Sequence, residues 1–148
     1  MATLFTKIID GDIPGRFVWA DDVCVAFATI APITDGHVLV VPRAEIVELT
    51  DAPDDVLAHL AVVARTIGSA LQTEWDAPRA ALLVAGFEVP HLHLHVLPAW
   101  DEASLTFANA RTDVPADALD AAAERVRAAL RSAGQGAHVP RALGSPAL

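Results

Sequence analysis

Three of the chain's six histidines, His91, His93 and His95, alternate with aliphatic residues in "PHLHLHVLP", residues 90–98. An imidazole can attack, take up or release a proton near neutral pH, and it also binds metals. Residues two apart on a strand share a face, so the spacing predicts one row of histidines, with Leu92, Leu94 and Val96 turned to a core. Successive members of the row stand about 6.7 Å apart. Two neighbours can converge on a zinc ion at about 2.0 to 2.1 Å, whereas a three-histidine centre needs ligands from elsewhere in the chain. Solvated surface histidines are the bland alternative, common for one residue and rare for three in step. Pro90 and Pro98 frame the row.

Such a row needs a sheet to hold it, and 148 residues suffice for one domain that buries about two thirds of its unfolded surface. The single cysteine, Cys24, cannot form an internal disulfide, and "MATLFTKIID" lacks the charged start and apolar run of a secretory signal. A cytoplasmic home is expected. The most apolar segment, "VLAHLAVVARTIGSAL", is interrupted by His59 and Arg65, so it reads as a packed helix and no membrane partner is expected. Acidic residues outnumber basic ones 19 to 10, a formal charge of -9, which argues against a nucleic acid polymer as partner. A small phosphorylated ligand is compatible with that charge, because backbone amides and a few side chains can hold it.

"KIIDGDIP" reads as a short helical turn broken at Gly11 and Pro14, and "RFVWADD" with "VCVAFATI" as a hairpin turning at Asp21-Asp22. "HVLVVP" is a buried strand that Pro42 ends. A helix is predicted from Pro53 to Gln72, capped by Thr50 or Asp51, with Leu57, Leu60, Ala64, Ile67 and Leu71 inward. "RAALLVAG" and "HLHLHVLP" supply two more strands. A second helix, Ala116 to Arg131, turns Leu119, Ala123, Val126 and Leu130 inward. The expected architecture is α+β, an antiparallel sheet covered on one face by a long helix and a C-terminal helix. One domain spans residues 1–133, and the Gly-, Pro- and Ala-rich residues 134–148 are expected to be mobile or loosely docked.

His91-Leu92-His93-Leu94-His95-Val96-Leu97 resembles the signature of the histidine-triad (HIT) family, His-φ-His-φ-His-φ-φ with φ apolar. "KIIDGDIP", "FVWADDVCVAFATIAP" and "GHVLVVPRAEIVEL" follow the order and spacing of that family's N-terminal half. The resemblance implies a HIT-like fold, a homodimer, and a nucleotide-binding enzyme that cleaves at an α-phosphorus through a nucleotidyl-histidine. It makes His93 the nucleophile, its Nδ1 proton held by a nearby carbonyl, most simply that of His91. It gives His95 the role of donor to phosphoryl oxygens, assisted by backbone amides near Glu88 and Val89, and has His37 support proton transfer together with His91. Phe5, Ile8, Phe27 and Ile30 fall on positions that form an apolar nucleobase pocket.

Several departures accompany the likeness. Relatives that bind a structural zinc do so with two cysteines, a later histidine and the first triad histidine; here Thr3, Thr6 and Glu45 stand at three of those positions. No structural zinc and no other cofactor are expected, and the N-terminus should pack by Leu4 and Phe5. Thr29 replaces an aspartate that receives both ribose hydroxyls. The loop before the triad is short and lacks the usual polar residues, and Trp100 follows the triad strand, placed either to stack on a base or to close a dimer.

The leading expectation is a hydrolase of nucleoside monophosphate conjugates carrying a phosphoramidate, acyl or phosphate leaving group, with a purine as the default base. Alternatives are a nucleotidyl transferase or phosphorylase of the same superfamily, a nucleotide-binding or regulatory protein with little turnover, and a metal-dependent enzyme using two triad histidines with Glu45 or His37.

Overall fold

The computed structural model describes residues 2–148. In chain order the elements are α1 (Leu4–Ile9), β1 (Phe17–Ala20), β2 (Cys24–Ala28), β3 (Val38–Pro42), α2 (Asp54–Trp75), β4 (Arg79–Leu83), β5 (Leu94–Ala99) and α3 (Ala116–Ser132). The strands form one antiparallel sheet in the order β1-β2-β3-β5-β4. This is the α+β architecture that the sequence suggested, an antiparallel sheet with a long helix and a C-terminal helix.

Asp21 makes the β1–β2 turn. Its Oδ1 accepts the backbone N–H groups of Val23 and Cys24, each at 2.8 Å, and its Oδ2 accepts Trp19 Nε1 at 2.9 Å. His59 Nε2 on α2 reaches the same Oδ2 at 2.8 Å, tying hairpin to helix. Burial alone would raise the Asp21 carboxyl, but these hydrogen bonds, led by that of Trp19, bring it down to about 2.

The apolar stripe of α2 lies across the sheet, burying Leu60, Val63, Ala64, Ile67 and Leu71 against Val38, Val40, Leu94 and Val96. Leu57, expected inward, is only half-buried. The helix also begins later than expected, with Pro53 rather than Thr50 or Asp51 at its cap, because Leu49–Asp51 is taken up in a separate 3-10 turn. On α3, all four residues expected inward are buried beside this core.

The opposite sheet face is covered in part as well, a departure from the one-sided layer expected. There Phe5 and Ile8 of α1 pack on Phe17, Val25, Phe27, Leu39 and Val41. Leu4 does not join them: it is 45% exposed, because it sits on the outer side of α1 while Phe5 and Ile8, three apart, share the inner side.

Residues 134–148, expected to be mobile or loosely docked, make defined contacts. Phe17 N–H donates to the Leu143 carbonyl at 2.7 Å, Val139 is buried, and His138 stacks on Trp19 with ring centroids 4.5 Å apart. The buried Arg127 guanidinium donates to the Phe17 and Pro140 carbonyls, both at 2.7 Å, joining α3, β1 and the tail. The tail's composition hid this, since most of its bonds use backbone carbonyls that every sequence carries.

Candidate active site

The register of β3 and β5 builds the site. Leu39 pairs with His95, and His37, two residues before Leu39, shares its face. Ladder pairing of β5 starts only at Leu94. The preceding His91 and Leu92 take other partners, His91 N–H donating to the Val89 carbonyl and Leu92 N–H to that of Ile46. The alternation survives outside the ladder, with Leu92, Leu94 and Val96 in the helix-side core.

His93 is fixed by the His91 carbonyl, which accepts its Nδ1–H at 2.7 Å. That bond sets the tautomer: Nε2 keeps its lone pair, and it has no protein partner among the described residues. Phe5 meets the ring edge-on, centroids 4.9 Å apart. Burial lowers the His93 pKa, a shift opposed by the His91 carbonyl and by Glu88, so the ring is neutral at pH 7.

A second tautomer chain runs through His37 and His95. The Ile33 N–H donates to His37 Nδ1 at 3.1 Å, so the His37 proton is on Nε2, which lies 2.9 Å from His95 Nδ1. His37 therefore donates to His95, and the His95 proton is on Nε2, available to a ligand. Burial and then the neighbouring His95 push His37 down to about 3, and burial and then His93 push His95 down to about 4. One backbone amide thus orients two rings and leaves a lone pair (His93) beside a donor (His95), with the ring centroids 4.9 Å apart. The ring that His37 meets is that of His95, because β3 lies beside the ladder part of β5.

These side chains open on a cleft of about 350 Å³ lined by His37, His93, His95, Thr29, Glu88 and Phe107, among others. A larger cleft of about 500 Å³ beyond His37, between the end of α2 and the start of α3, contains neither His93 nor His95. The smaller one therefore carries the chemistry. Of the residues expected to bind substrate, Thr29 and Glu88 line it, while Thr29 Oγ1 already accepts the Ala31 N–H at 3.1 Å. Phe5, Ile8 and Phe27 are buried beneath His93, Val89 packs against them half-buried, and Ile30 is 72% exposed. Trp100 lies outside the cleft on the bend that ends β5, half-exposed. Phe107, which sequence reasoning did not single out, meets His95 at a tilt of 58° with ring centroids 4.8 Å apart, from a short turn capped by Thr106. Phe87 lines the cleft too, almost fully exposed.

Gly36 sets the approach to His37. Its φ is +87°, and a Cβ would lie 2.8 Å from the Trp75 ring. Gly36→Ala is expected to cost about 2 to 4 kcal/mol from backbone strain and overpacking together, read as a lower urea midpoint.

His91 is fully buried and its ring faces away from the cleft, toward α1. Its Nε2 donates to the Pro42 carbonyl at 2.8 Å, and its Nδ1 lies 2.6 Å from Thr3 Oγ1. Thr6 Oγ1 and the Thr3 N–H donate to Glu45 Oε1 at 2.7 and 3.0 Å. Those four residues occupy the positions of the zinc ligands described above, but they do not fit zinc: two neutral hydroxyls replace thiolates, and the donors are spent on one another.

Comparison with known proteins agrees with the geometry. The model of the HIT domain matches residues 10–102. A HIT-like protein of Saccharolobus solfataricus is 34% identical over 104 residues, 67% of this chain and 75% of that one. The adenosine 5'-monophosphoramidase HNT1 of Saccharomyces cerevisiae is 31% identical, over 70% of this chain and 66% of that one. A zinc-bound histidine-triad protein of Mycobacterium smegmatis superposes with a TM-score of 0.78 at 28% identity, covering 92% of this chain and 98% of that one. With the family signature on the strand that lines the cleft and the family's domain matched across more than half its length, the chain belongs to the HIT family.

Proposed function

We propose that the protein hydrolyses conjugates of a nucleoside monophosphate at the α-phosphorus through a covalent nucleotidyl-His93. The observation that carries the reading is the pair of fixed tautomers: a free lone pair on His93 Nε2 beside a proton on His95 Nε2. His93 Nε2 forms the P–N bond as the bond from phosphorus to the leaving group breaks, and the departing amine takes up a proton from solvent water. His95 stabilises the charge that develops on the phosphoryl oxygens. Water then cleaves the P–N bond, releasing the monophosphate and neutral His93. Phosphoramidates are the leading substrates, in keeping with the phosphoramidase activity of the yeast relative, and a purine is the default base. A homodimer fits an edge strand, β4, that leaves Leu82 half-exposed.

Amine release from an adenosine phosphoramidate with a fluorescent amine tests the activity. Release is the expected result; none, together with measurable AMP binding, would favour a nucleotide-binding protein with little turnover. That second reading draws on Thr29, whose oxygen is engaged with Ala31. Thr29→Asp is expected to lower KM roughly tenfold, the worth of a charge-assisted hydrogen bond of about 1.5 kcal/mol to the ribose. An unchanged KM would place the ribose elsewhere.

A further inference from the structure

The polar group behind the triad has a directed order. His91 Nε2–H is committed to the Pro42 carbonyl, so His91 Nδ1 must accept, and the 2.6 Å contact with Thr3 is a bond from the hydroxyl to the ring. Thr3 Oγ1 in turn accepts the Thr6 N–H at 3.0 Å, as the cap of α1. Glu45, on the chain after β3, receives both threonines, and those hydrogen bonds hold its carboxyl below the usual carboxylate range, so it is charged at neutral pH. Three separate segments therefore meet at one imidazole. The carbonyl of that residue is the one that fixes His93 Nδ1.

We propose that Thr3, Thr6 and Glu45 form a metal-free clasp that holds His91 in place, with Thr3 as a positioning residue for His93. It takes over, with hydroxyls and one carboxylate, the task of tying α1 to the triad segment that a metal could perform. Two consequences reach the cleft. The His91 backbone is held where its carbonyl meets His93, and α1 is held where Phe5 abuts the His93 ring. The proposal rests on the reading of His93 as nucleophile for its effect on turnover, while its effect on ring geometry is independent of that reading.

The test uses Thr3→Val, which deletes the hydroxyl at nearly constant volume, and Thr3→Ser, which keeps it. In imidazole nitrogen NMR the parent should show His91 as the Nε2–H tautomer and His93 as the Nδ1–H tautomer at pH 7.5. Thr3→Val should lose the single His93 tautomer, and its kcat should fall about tenfold with a smaller change in KM; Thr3→Ser should restore both. A folded Thr3→Val protein with parental spectra and kcat would overturn the proposal.

A second variant, Thr3→Cys/Thr6→Cys/Glu45→His, supplies zinc ligands beside His91. It should bind one zinc, regain the parental His93 tautomer when loaded and lose it with a chelator, while the parent ignores the chelator. Stoichiometric zinc in the parent, or parental sensitivity to the chelator, would contradict a metal-free clasp. Because the spectra need no substrate, a parent without turnover would sink the proposed function while the clasp stood or fell on the NMR.

Discussion

Turnover by His93→Ala is expected to fall by about 10³-fold or more, with nucleotide binding largely retained. The size follows from what His93 does: among the described residues it offers the only cleft lone pair held by a fixed tautomer, and its loss removes the covalent route rather than weakening it. His95 cannot take over, because its Nδ1 is occupied by His37 and its Nε2 carries the proton. Steady-state amine release on parent and variant at matched protein concentration measures the effect. His93 is buried against Phe5, so a thermal melt of the variant separates lost chemistry from lost fold. A folded variant that retained a tenth of the parental rate would remove His93 from the nucleophile's role.

Acid should act on stability before it acts on the reactive tautomers. His37 at about 3 and His95 at about 4 are both depressed, first by burial, against about 6.5 for an unfolded histidine. Between those values the unfolded chain binds protons that the folded chain refuses, so stability falls as pH falls. Each of the two contributes a slope of up to about 1.4 kcal/mol per pH unit below 6.5, which stops when the folded-state pKa is reached. Asp21, at about 2, adds its loss only below the ordinary carboxylate range near 3.8. The window from pH 6.5 to 4 thus belongs chiefly to the histidines. Urea midpoints should drop steadily across it, and replacing His37 with glutamine should flatten the slope. For His93 the shift is also downward, so kcat/KM at pH 6.5 should keep more than half of its pH 7.5 value. A half-maximal rate at pH 6.5 in a fully folded sample would mean that the attacking ring is not desolvated as described.

Much of this was legible in residue order, and the limits have physical causes. The 3-4 spacing of Leu60, Ala64, Ile67 and Leu71 placed α2 because a helix stripe is a local property, and the alternation at His91, His93 and His95 placed the triad for the same reason. Which ring His37 meets was not local. It depends on the β3–β5 register across 58 residues, which no local pattern carries. Trp100, expected to stack on a base or close a dimer, lies outside the cleft, and Phe107, seven residues later, lines it together with Phe87. No periodicity marks Phe107, since it lies on an irregular connection whose course is set by its ends. The loss of two cysteines and a histidine signalled absent zinc ligands, but the bonds of Thr3 and Thr6 to Glu45 and of Thr3 to His91 join residues 39 to 88 positions apart, which no local pattern carries.

The most direct test of the account is to trap the intermediate. Parent protein mixed with an adenosine phosphoramidate is quenched within one turnover under alkaline denaturing conditions, which preserve a phosphoramidate bond, and the peptide spanning residues 90–98 is sequenced by mass spectrometry. The account predicts one added nucleoside monophosphate, localised to His93, formed before the monophosphate appears in solution and absent in His93→Ala. A nucleotide carried by His95 or His91, or full turnover with no adduct at any time, would contradict it.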